Sequence, residues 1–244
     1  MLDWILDHYI YPSLGQRPQY RPFKTYNVGG SECLVVTRED ATCWLLYCHG
    51  NSVTLDDLHA SGVPQMLVER CKCNFVAPEF PVKSRSGRSH DEDVTNAAKA
   101  AYEQLCADYT APVFVVGRSL GVGVALSACL HRQPAGLLLV SGFASIRNLA
   151  PTWLWYMLND RFNNVKKVAH FTCPKIIVHG NSDELVPVEH AHLLYKAAQN
   201  AKMELLPMGH NPSNKNWAAI ASLCSSLICT NTYAIIPKVD YCEY

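Results

Sequence analysis

Hydrophobic and polar positions along the chain form short apolar runs that alternate with longer amphipathic stretches. The runs at 114–116, 137–140 and 176–178 are apolar at every position, as in strands that are buried on both faces. This pattern predicts strands over residues 24–28, 33–37, 43–48, 74–78, 113–116, 136–140, 175–179 and 203–207. It predicts helices over residues 55–70, 91–108, 120–131, 187–200 and 214–227. Such alternation favours an α/β fold with a doubly wound, mostly parallel sheet.

One segment interrupts the alternation, because residues 142–172 lie between two predicted core strands and contain an aromatic cluster. Its position and length predict a short lid inserted into a single domain over residues 1–244, with a lead-in over 1–22 and a tail from about 230 to 244. Trp153, Trp155 and Met157 are candidate substrate-pocket residues, since they offer apolar surface to an acyl chain. Packing of the lid on the core is the alternative.

The sequence Gly117-Arg118-Ser119-Leu120-Gly121 matches the pattern G-x-S-x-G. It directly follows a predicted strand and opens a predicted helix that is rich in small residues, which is the context of a nucleophile elbow. We therefore predict that Ser119 is a nucleophile at the amino end of a helix, where backbone N–H groups favour negative charge. A chance match in a glycine-rich turn is the alternative.

The apolar run 45–48 leads into a loop that can supply the other half of an oxyanion hole. Acyl transfer needs backbone N–H donors for the tetrahedral oxyanion, one of them from the residue after the nucleophile. The expected donors are the amides of Leu120 and Asn51, with Ser52 as second choice, and Gly50 allows close approach of the backbone. An ordinary turn with Ser52 or Thr54 as helix N-cap is the alternative reading.

Two further residues complete a candidate triad. Asp183 follows the strand predicted at 175–179, and His210 follows the strand at 203–207, so both lie where catalytic groups gather in parallel sheets. The chain order Ser119, Asp183, His210 is the order of α/β-hydrolases. Alternatively, Asp183 is a helix N-terminal acid ahead of Pro187. We expect His49, which precedes the nucleophile, to be structural.

Composition limits the remaining function classes. The 244 residues are 49% hydrophobic with a formal net charge of +0, which disfavours global disorder and a nucleic-acid partner. The 11 cysteines are irregularly spaced, and several lie in apolar runs, as expected of reduced thiols rather than a disulfide framework or a zinc site. No metal or cofactor is expected. No secretory signal or spanning apolar run is evident, so a cytoplasmic location is expected, with peripheral membrane contact left open.

With these motifs in place, the chain resembles the compact α/β-hydrolase-domain serine hydrolases that include protein depalmitoylases and monoacylglycerol-lipase-like enzymes. The resemblance covers roughly residues 44–227 and rests on Cys48-His49-Gly50-Asn51, the G-x-S-x-G pattern, His179-Gly180-x-x-Asp183 and Gly209-His210-Asn211. It implies the α/β-hydrolase fold. The sequence departs from it in two places: there is no amino-terminal cysteine cluster of the depalmitoylase kind, and residues 78–88 stand where many relatives have a glycine-rich bend.

The motifs and the resemblance together predict a serine hydrolase that cleaves acyl esters or thioesters through a Ser-His-Asp triad and an acyl-enzyme, without a cofactor. Its substrate would be an acylated small molecule or an acylated protein. Two alternatives stay open: a serine peptidase or amidase on the same fold, and a catalytically silent binding protein. The sequence indicates neither the chain length of the acyl group nor an oligomeric state.

Overall fold

A computed structural model of the protein describes residues 23–80, 91–149 and 160–235, with side chains through residue 231. Within these ranges the chain builds one eight-stranded sheet in the order β1-β2-β4-β3-β5-β6-β7-β8. The strands are β1 (Thr25–Val28), β2 (Ser31–Val36), β3 (Trp44–Cys48), β4 (Asn74–Pro78), β5 (Val113–Arg118), β6 (Gly136–Val140), β7 (Lys175–Gly180) and β8 (Ala201–Leu206). All eight predicted strands are therefore present, displaced at their ends by no more than two residues.

The sheet is mostly parallel, as predicted. Strands β4, β3, β5, β6, β7 and β8 run parallel, whereas β2 is antiparallel to both of its neighbours, β1 and β4. In register, Cys48 of β3 lies beside Gly117 of β5, and Arg118 beside Val140 of β6. The carboxyl ends of these strands consequently meet at one edge of the sheet, where parallel α/β folds assemble their sites.

The described helices number eight. They are α1 (Leu55–Ala60), α2 (Val63–Cys71), α3 (Asp91–Asp108), α4 (Leu120–Ala128), α5 (Ile146–Leu149), α6 (Asn164–Val168), α7 (Glu189–Ala197) and α8 (Asn214–Ile235). The single helix predicted over 55–70 is wrong, because Gly62 adopts a left-handed φ of 69° and separates α1 from α2. The helix predicted over 214–227 is longer than expected, since α8 continues to Ile235.

Helices cover both faces of the sheet, which is the doubly wound arrangement. One core joins Val115 and Leu139 to α3, α4 and α7, and the other joins Phe114 and Leu138 to α2 and α8. All four side chains are at most 1% exposed. Burial of each such side chain contributes about 1.5–3 kcal/mol, so the continuous apolar runs of the sequence account for the central layer.

Parts of the predicted lid lie inside the described residues and pack on the core. Phe162 is buried and meets Phe143 edge to face at 6.5 Å between ring centroids. It also fits against Gly123 of α4, where a Cβ would come within 2.6 Å of the ring. The three proposed pocket residues, Trp153, Trp155 and Met157, lie outside the described residues, as do the lead-in over 1–22 and residues 236–244.

None of the described helices combines the length and the apolar character that crossing a membrane requires. The ten cysteines that the structure describes are all free thiols.

Candidate active site

Ser119 stands between β5 and α4 in a strained backbone conformation, with φ 52° and ψ −119°. Side-chain-bearing residues rarely adopt such a conformation, and it persists only where surrounding contacts impose it. Here the Ser119 N–H donates to the Val140 carbonyl at 2.9 Å, and the Ser119 carbonyl accepts from Val122 N–H at 3.0 Å. The sharp strand-to-helix turn that the motif predicts is therefore present.

The two glycines of the motif make this turn possible. A Cβ on Gly117 would lie 2.6 Å from the Gly121 carbonyl oxygen, and a Cβ on Gly121 would lie 2.0 Å from the Cys48 carbonyl oxygen. Both obstacles are backbone atoms, which cannot rotate away. Glycine at these positions thus lets α4 and the end of β3 approach the turn closely.

The structure brings Ser119, His210 and Asp183 together in one hydrogen-bonded chain. Ser119 Oγ lies 2.8 Å from His210 Nε2. The other ring nitrogen, Nδ1, lies 2.9 Å from Asp183 Oδ2. A carboxylate only accepts, so Nδ1 carries the proton and Nε2 is free to accept from the serine hydroxyl. This is the nucleophile, base and acid arrangement of acyl-transfer enzymes.

Asp183 is held by its own loop after β7. Its Oδ1 accepts from the N–H groups of Leu185 at 3.0 Å and Val186 at 2.8 Å, which leaves Oδ2 to face the imidazole. The carboxyl group is fully buried. These two backbone donors satisfy one oxygen of the buried carboxyl group and leave the other to orient the histidine.

The candidate oxyanion donors flank Ser119. Leu120 is the first residue of α4, and Asn51 begins the turn that follows β3. A Cβ on Gly50 would lie 3.5 Å from Ser119 Cβ, so the backbone of this turn lies against the nucleophile. Thr54, not Ser52, is the N-cap of α1, in a reciprocal capping box with Asp57. The turn therefore has the capping role given as the alternative reading, and that role is compatible with oxyanion binding.

His49 has a structural environment. It is 2% exposed, its Nδ1 lies 3.0 Å from the Gly50 carbonyl, and its ring stacks on Phe80 at 3.9 Å between centroids. Burial lowers the pKa of His49 to about 4, so the ring is neutral at physiological pH. A second buried histidine, His190, accepts a hydrogen bond from the Ala144 N–H through Nδ1 at 3.1 Å.

A contact between Arg118 and Asn211 lies beside the triad and was not predicted from the sequence. Arg118, which precedes the nucleophile, donates from Nη2 to Oδ1 of Asn211, which follows the base. Its guanidinium also lies beside Gly50, where a Cβ would be 3.0 Å from Nη1. The side chain thus contacts the two loops that flank Ser119. The only signal in the sequence is that both partners adjoin candidate triad residues.

Across the ranges 23–80, 91–149 and 160–235, no group of three or more His, Cys, Asp or Glu residues is arranged to hold a metal ion.

Comparison with known proteins yields relatives in sequence and in fold. No family model matches the chain. It is 30% identical over 135 residues to an uncharacterized protein of Mycobacterium tuberculosis, a match that covers 51% of this chain and 48% of that protein. It is 26% identical over 160 residues to alpha/beta hydrolase domain-containing protein 17B of Homo sapiens, covering 64% of this chain and 55% of the relative. The chain spans about half the length of the curated relatives that it matches.

Solved structures share the fold at low sequence identity. An esterase/lipase from an uncultured bacterium superposes with a TM-score of 0.65 at 14% identity, covering 96% of this chain and 92% of the other. A homologue of hormone-sensitive lipase from a metagenome library, EstE7, gives a TM-score of 0.67 at 16% identity, covering 89% and 88%. The α/β-hydrolase fold and the resemblance to α/β-hydrolase-domain proteins are therefore confirmed.

Proposed function

We propose that this protein is a serine hydrolase that cleaves acyl esters or thioesters, with Ser119 as nucleophile, His210 as general base and Asp183 as its orienting acid. The observation that carries the proposal is the hydrogen-bonded chain from Ser119 Oγ through the imidazole to the buried carboxylate. The strained turn at Ser119 and the relatedness to α/β-hydrolase-domain proteins support it. An intact constellation of this kind also argues against the silent binding protein.

Acylation follows from the positions of the protons. As Ser119 Oγ attacks the acyl carbonyl carbon, His210 Nε2 takes the hydroxyl proton, and Asp183 stabilises the imidazolium through Nδ1–H. The carbonyl oxygen becomes an oxyanion that accepts from the N–H groups proposed as donors, those of Leu120 and Asn51. Loss of one such donor costs roughly 10²–10³ in kcat in related chemistry.

Collapse of the tetrahedral intermediate breaks the bond to the leaving group. His210 Nε2–H protonates the departing alkoxide or thiolate, and the acyl group remains on Ser119 as an ester. Water then gives a proton to Nε2 and attacks the acyl carbon, and the free acid leaves as Ser119 Oγ regains its proton. Bonds and protons balance over the two half-reactions without an ion or cofactor.

Ester and thioester substrates fit this machinery better than peptides. An amine is a poorer leaving group than an alcohol or a thiol, so amides demand more proton transfer from His210. Each methylene buried in an apolar pocket contributes up to about 0.8 kcal/mol, close to a four-fold gain in kcat/KM. The expected substrate is therefore an acylated small molecule or an acylated protein with an apolar chain.

The test is kcat/KM across a graded series of p-nitrophenyl esters and acyl thioesters, beside aminoacyl and peptidyl amides, with Ser119→Ala as the blank. We expect kcat/KM to rise with chain length until the pocket is full, and amides to be slower throughout. A flat or falling acyl series together with faster amide cleavage would replace this proposal with the peptidase reading.

A further inference from the structure

Asp183 has a second imidazole neighbour besides His210. His179, near the end of β7, places Nε2 3.4 Å from Asp183 Oδ2, the same oxygen that faces His210. The same Nε2 lies 2.8 Å from the carbonyl oxygen of Val186. Both side chains of this contact, those of His179 and Asp183, are fully buried, so water cannot replace either partner.

The tautomer of His179 follows from these partners. A backbone carbonyl can only accept, so the Nε2 that faces Val186 carries the ring proton. The other nitrogen, Nδ1, is buried and has no hydrogen-bond partner among the described residues. Burial lowers the pKa of His179, so the ring is neutral and its one N–H points at the turn that contains Asp183.

This N–H closes the turn from Asp183 to Val186. The backbone N–H of Val186 donates to Asp183 Oδ1, while the carbonyl of the same residue accepts from His179. The turn is thus fixed from both sides. With Oδ1 held by two amides, Oδ2 is aimed at His210.

We propose that His179 is a positioning residue for the proposed hydrolase: its Nε2–H holds the turn at Asp183 so that Oδ2 meets His210 Nδ1. The inference deepens the proposed function and rests on it. A purely structural role, filling space at the end of β7, is the competing explanation. The positioning role requires a donor at the place of Nε2 and acts on kcat through Asp183. The space-filling role requires neither.

Two substitutions separate the nitrogens. In His179→Gln the amide nitrogen can occupy the place of Nε2 and donate to Val186, whereas in His179→Asn it stands near the place of Nδ1. We expect kcat of His179→Gln to stay within about three-fold of wild type. We expect kcat of His179→Asn and His179→Leu to fall about 10–100-fold with little change in KM. Losses of this size occur in metalloenzymes when a side chain that orients a metal-binding residue is removed.

A second arm tests whether His179 acts through Asp183. In an Asp183→Asn background, His179→Leu should change kcat less than about two-fold, because the group it positions is already impaired. His190→Leu is the matched control: it removes another buried imidazole, one that hydrogen-bonds Ala144 instead of the acid. It should lower the melting temperature and leave kcat unchanged.

An equal loss of kcat in the Gln, Asn and Leu variants of His179 would overturn the inference. So would a loss of kcat that adds to the loss caused by Asp183→Asn, or one that parallels the fall in melting temperature. If His179→Leu does not fold, the comparison of Gln with Asn decides, since both are polar and differ only in reach. Fluorophosphonate labelling of the wild-type protein distinguishes a failure of this inference from a failure of the proposed function. If Ser119 is labelled and His179→Leu is fully active, only this inference is wrong; if Ser119 is never labelled, the proposed function is wrong.

Discussion

Gly121 lies where α4 meets the end of β3, and its missing side chain is what allows the contact. A Cβ there would lie 2.0 Å from the Cys48 carbonyl oxygen. We expect Gly121→Ala to lower the free energy of unfolding by at least about 3 kcal/mol, the upper range for overpacking. Gly209→Ala is the matched control, because its Cβ would lie 3.6 Å from the nearest atom, Ser182 O. Urea unfolding of both variants tests this, and equal stability of the two would contradict it.

Asp183 is expected to be the acid that orients His210, because Oδ2 lies 2.9 Å from Nδ1. Asp183→Asn keeps the shape of the side chain but changes its hydrogen bonding, so kcat should fall by orders of magnitude, about 10⁴ for the equivalent change in a serine protease. Glu79→Gln and Asp160→Asn, which alter acids outside the hydrogen-bonded chain of Ser119, His210 and Asp183, should keep activity. The assignment is wrong if Asp183→Asn remains active while Glu79→Gln is inactive.

Whether a feature at the residue scale could be predicted depends on how close in sequence its parts lie. The turn at Ser119 could be predicted, because glycines two residues to either side and the preceding strand are all adjacent in sequence. The contacts of Arg118 with Asn211 and of His179 with Asp183 could not, because each depends on which way a side chain points at the end of a strand. Those directions are set by packing between elements and not by local sequence.

Elements were predicted better in the sheet than in the helices. Strand β4 and helix α3 have the predicted bounds, Asn74–Pro78 and Asp91–Asp108. The break between α1 and α2 was missed because apolar periodicity continues across it, and a lone glycine is also tolerated inside helices. Helix α8 runs past its predicted end, with Thr230 and Asn231 bonding back to carbonyls one turn earlier.

Helix α1 begins directly after the candidate oxyanion turn, and its cap fixes that beginning. Thr54 Oγ1 accepts from the Asp57 N–H at 3.1 Å, and the Asp57 carboxylate accepts from the Thr54 N–H at 2.9 Å. Thr54→Ala should cost about 1 kcal/mol of stability. Thr230→Ala makes the same change inside a helix and should stay within about 0.5 kcal/mol of wild type. Denaturant midpoints measure both, and a Thr54→Ala protein as stable as wild type contradicts the capping role.

On the scale of the whole molecule, burial of neutral histidines makes stability depend on pH. Burial lowers the pKa of His49, His179 and His190. In the unfolded chain these groups bind protons near pH 6.5, so unfolding takes up protons below that pH and the free energy of unfolding falls as pH decreases. For His49, whose folded pKa is about 4, the loss is fully developed only below pH 4.

At pH 5 this histidine alone should lower the free energy of unfolding by about 2 kcal/mol relative to pH 7.5, from 1.36 kcal/mol per pKa unit. The measurement compares urea unfolding of wild type and His49→Gln at both pH values. The contributions of the titratable groups that the two proteins share then cancel in the difference. The drop should be smaller in His49→Gln by about that amount. An identical drop in the two proteins would show that His49 is protonated in the folded state.

The α/β architecture could be predicted from the chain as a whole, since continuous apolar strands alternate with helices. The antiparallel pairing of β2 with β4 could not, because β3 and two helices separate these strands in the chain and local sequence does not select a partner at that distance. The topology brings the candidate triad together. Strands β5, β7 and β8 end at one edge of the sheet, and the three residues of the triad follow their ends.

The most direct test of the account is the site of covalent labelling by a fluorophosphonate. An activated serine displaces fluoride from phosphorus and forms a stable phosphonate ester, so peptide mapping by mass spectrometry identifies the nucleophile. We expect one label per folded molecule, on Ser119, and none in Ser119→Ala of unchanged melting temperature. A label on another serine, or a wild-type protein that is folded and unlabelled, would contradict the central claim.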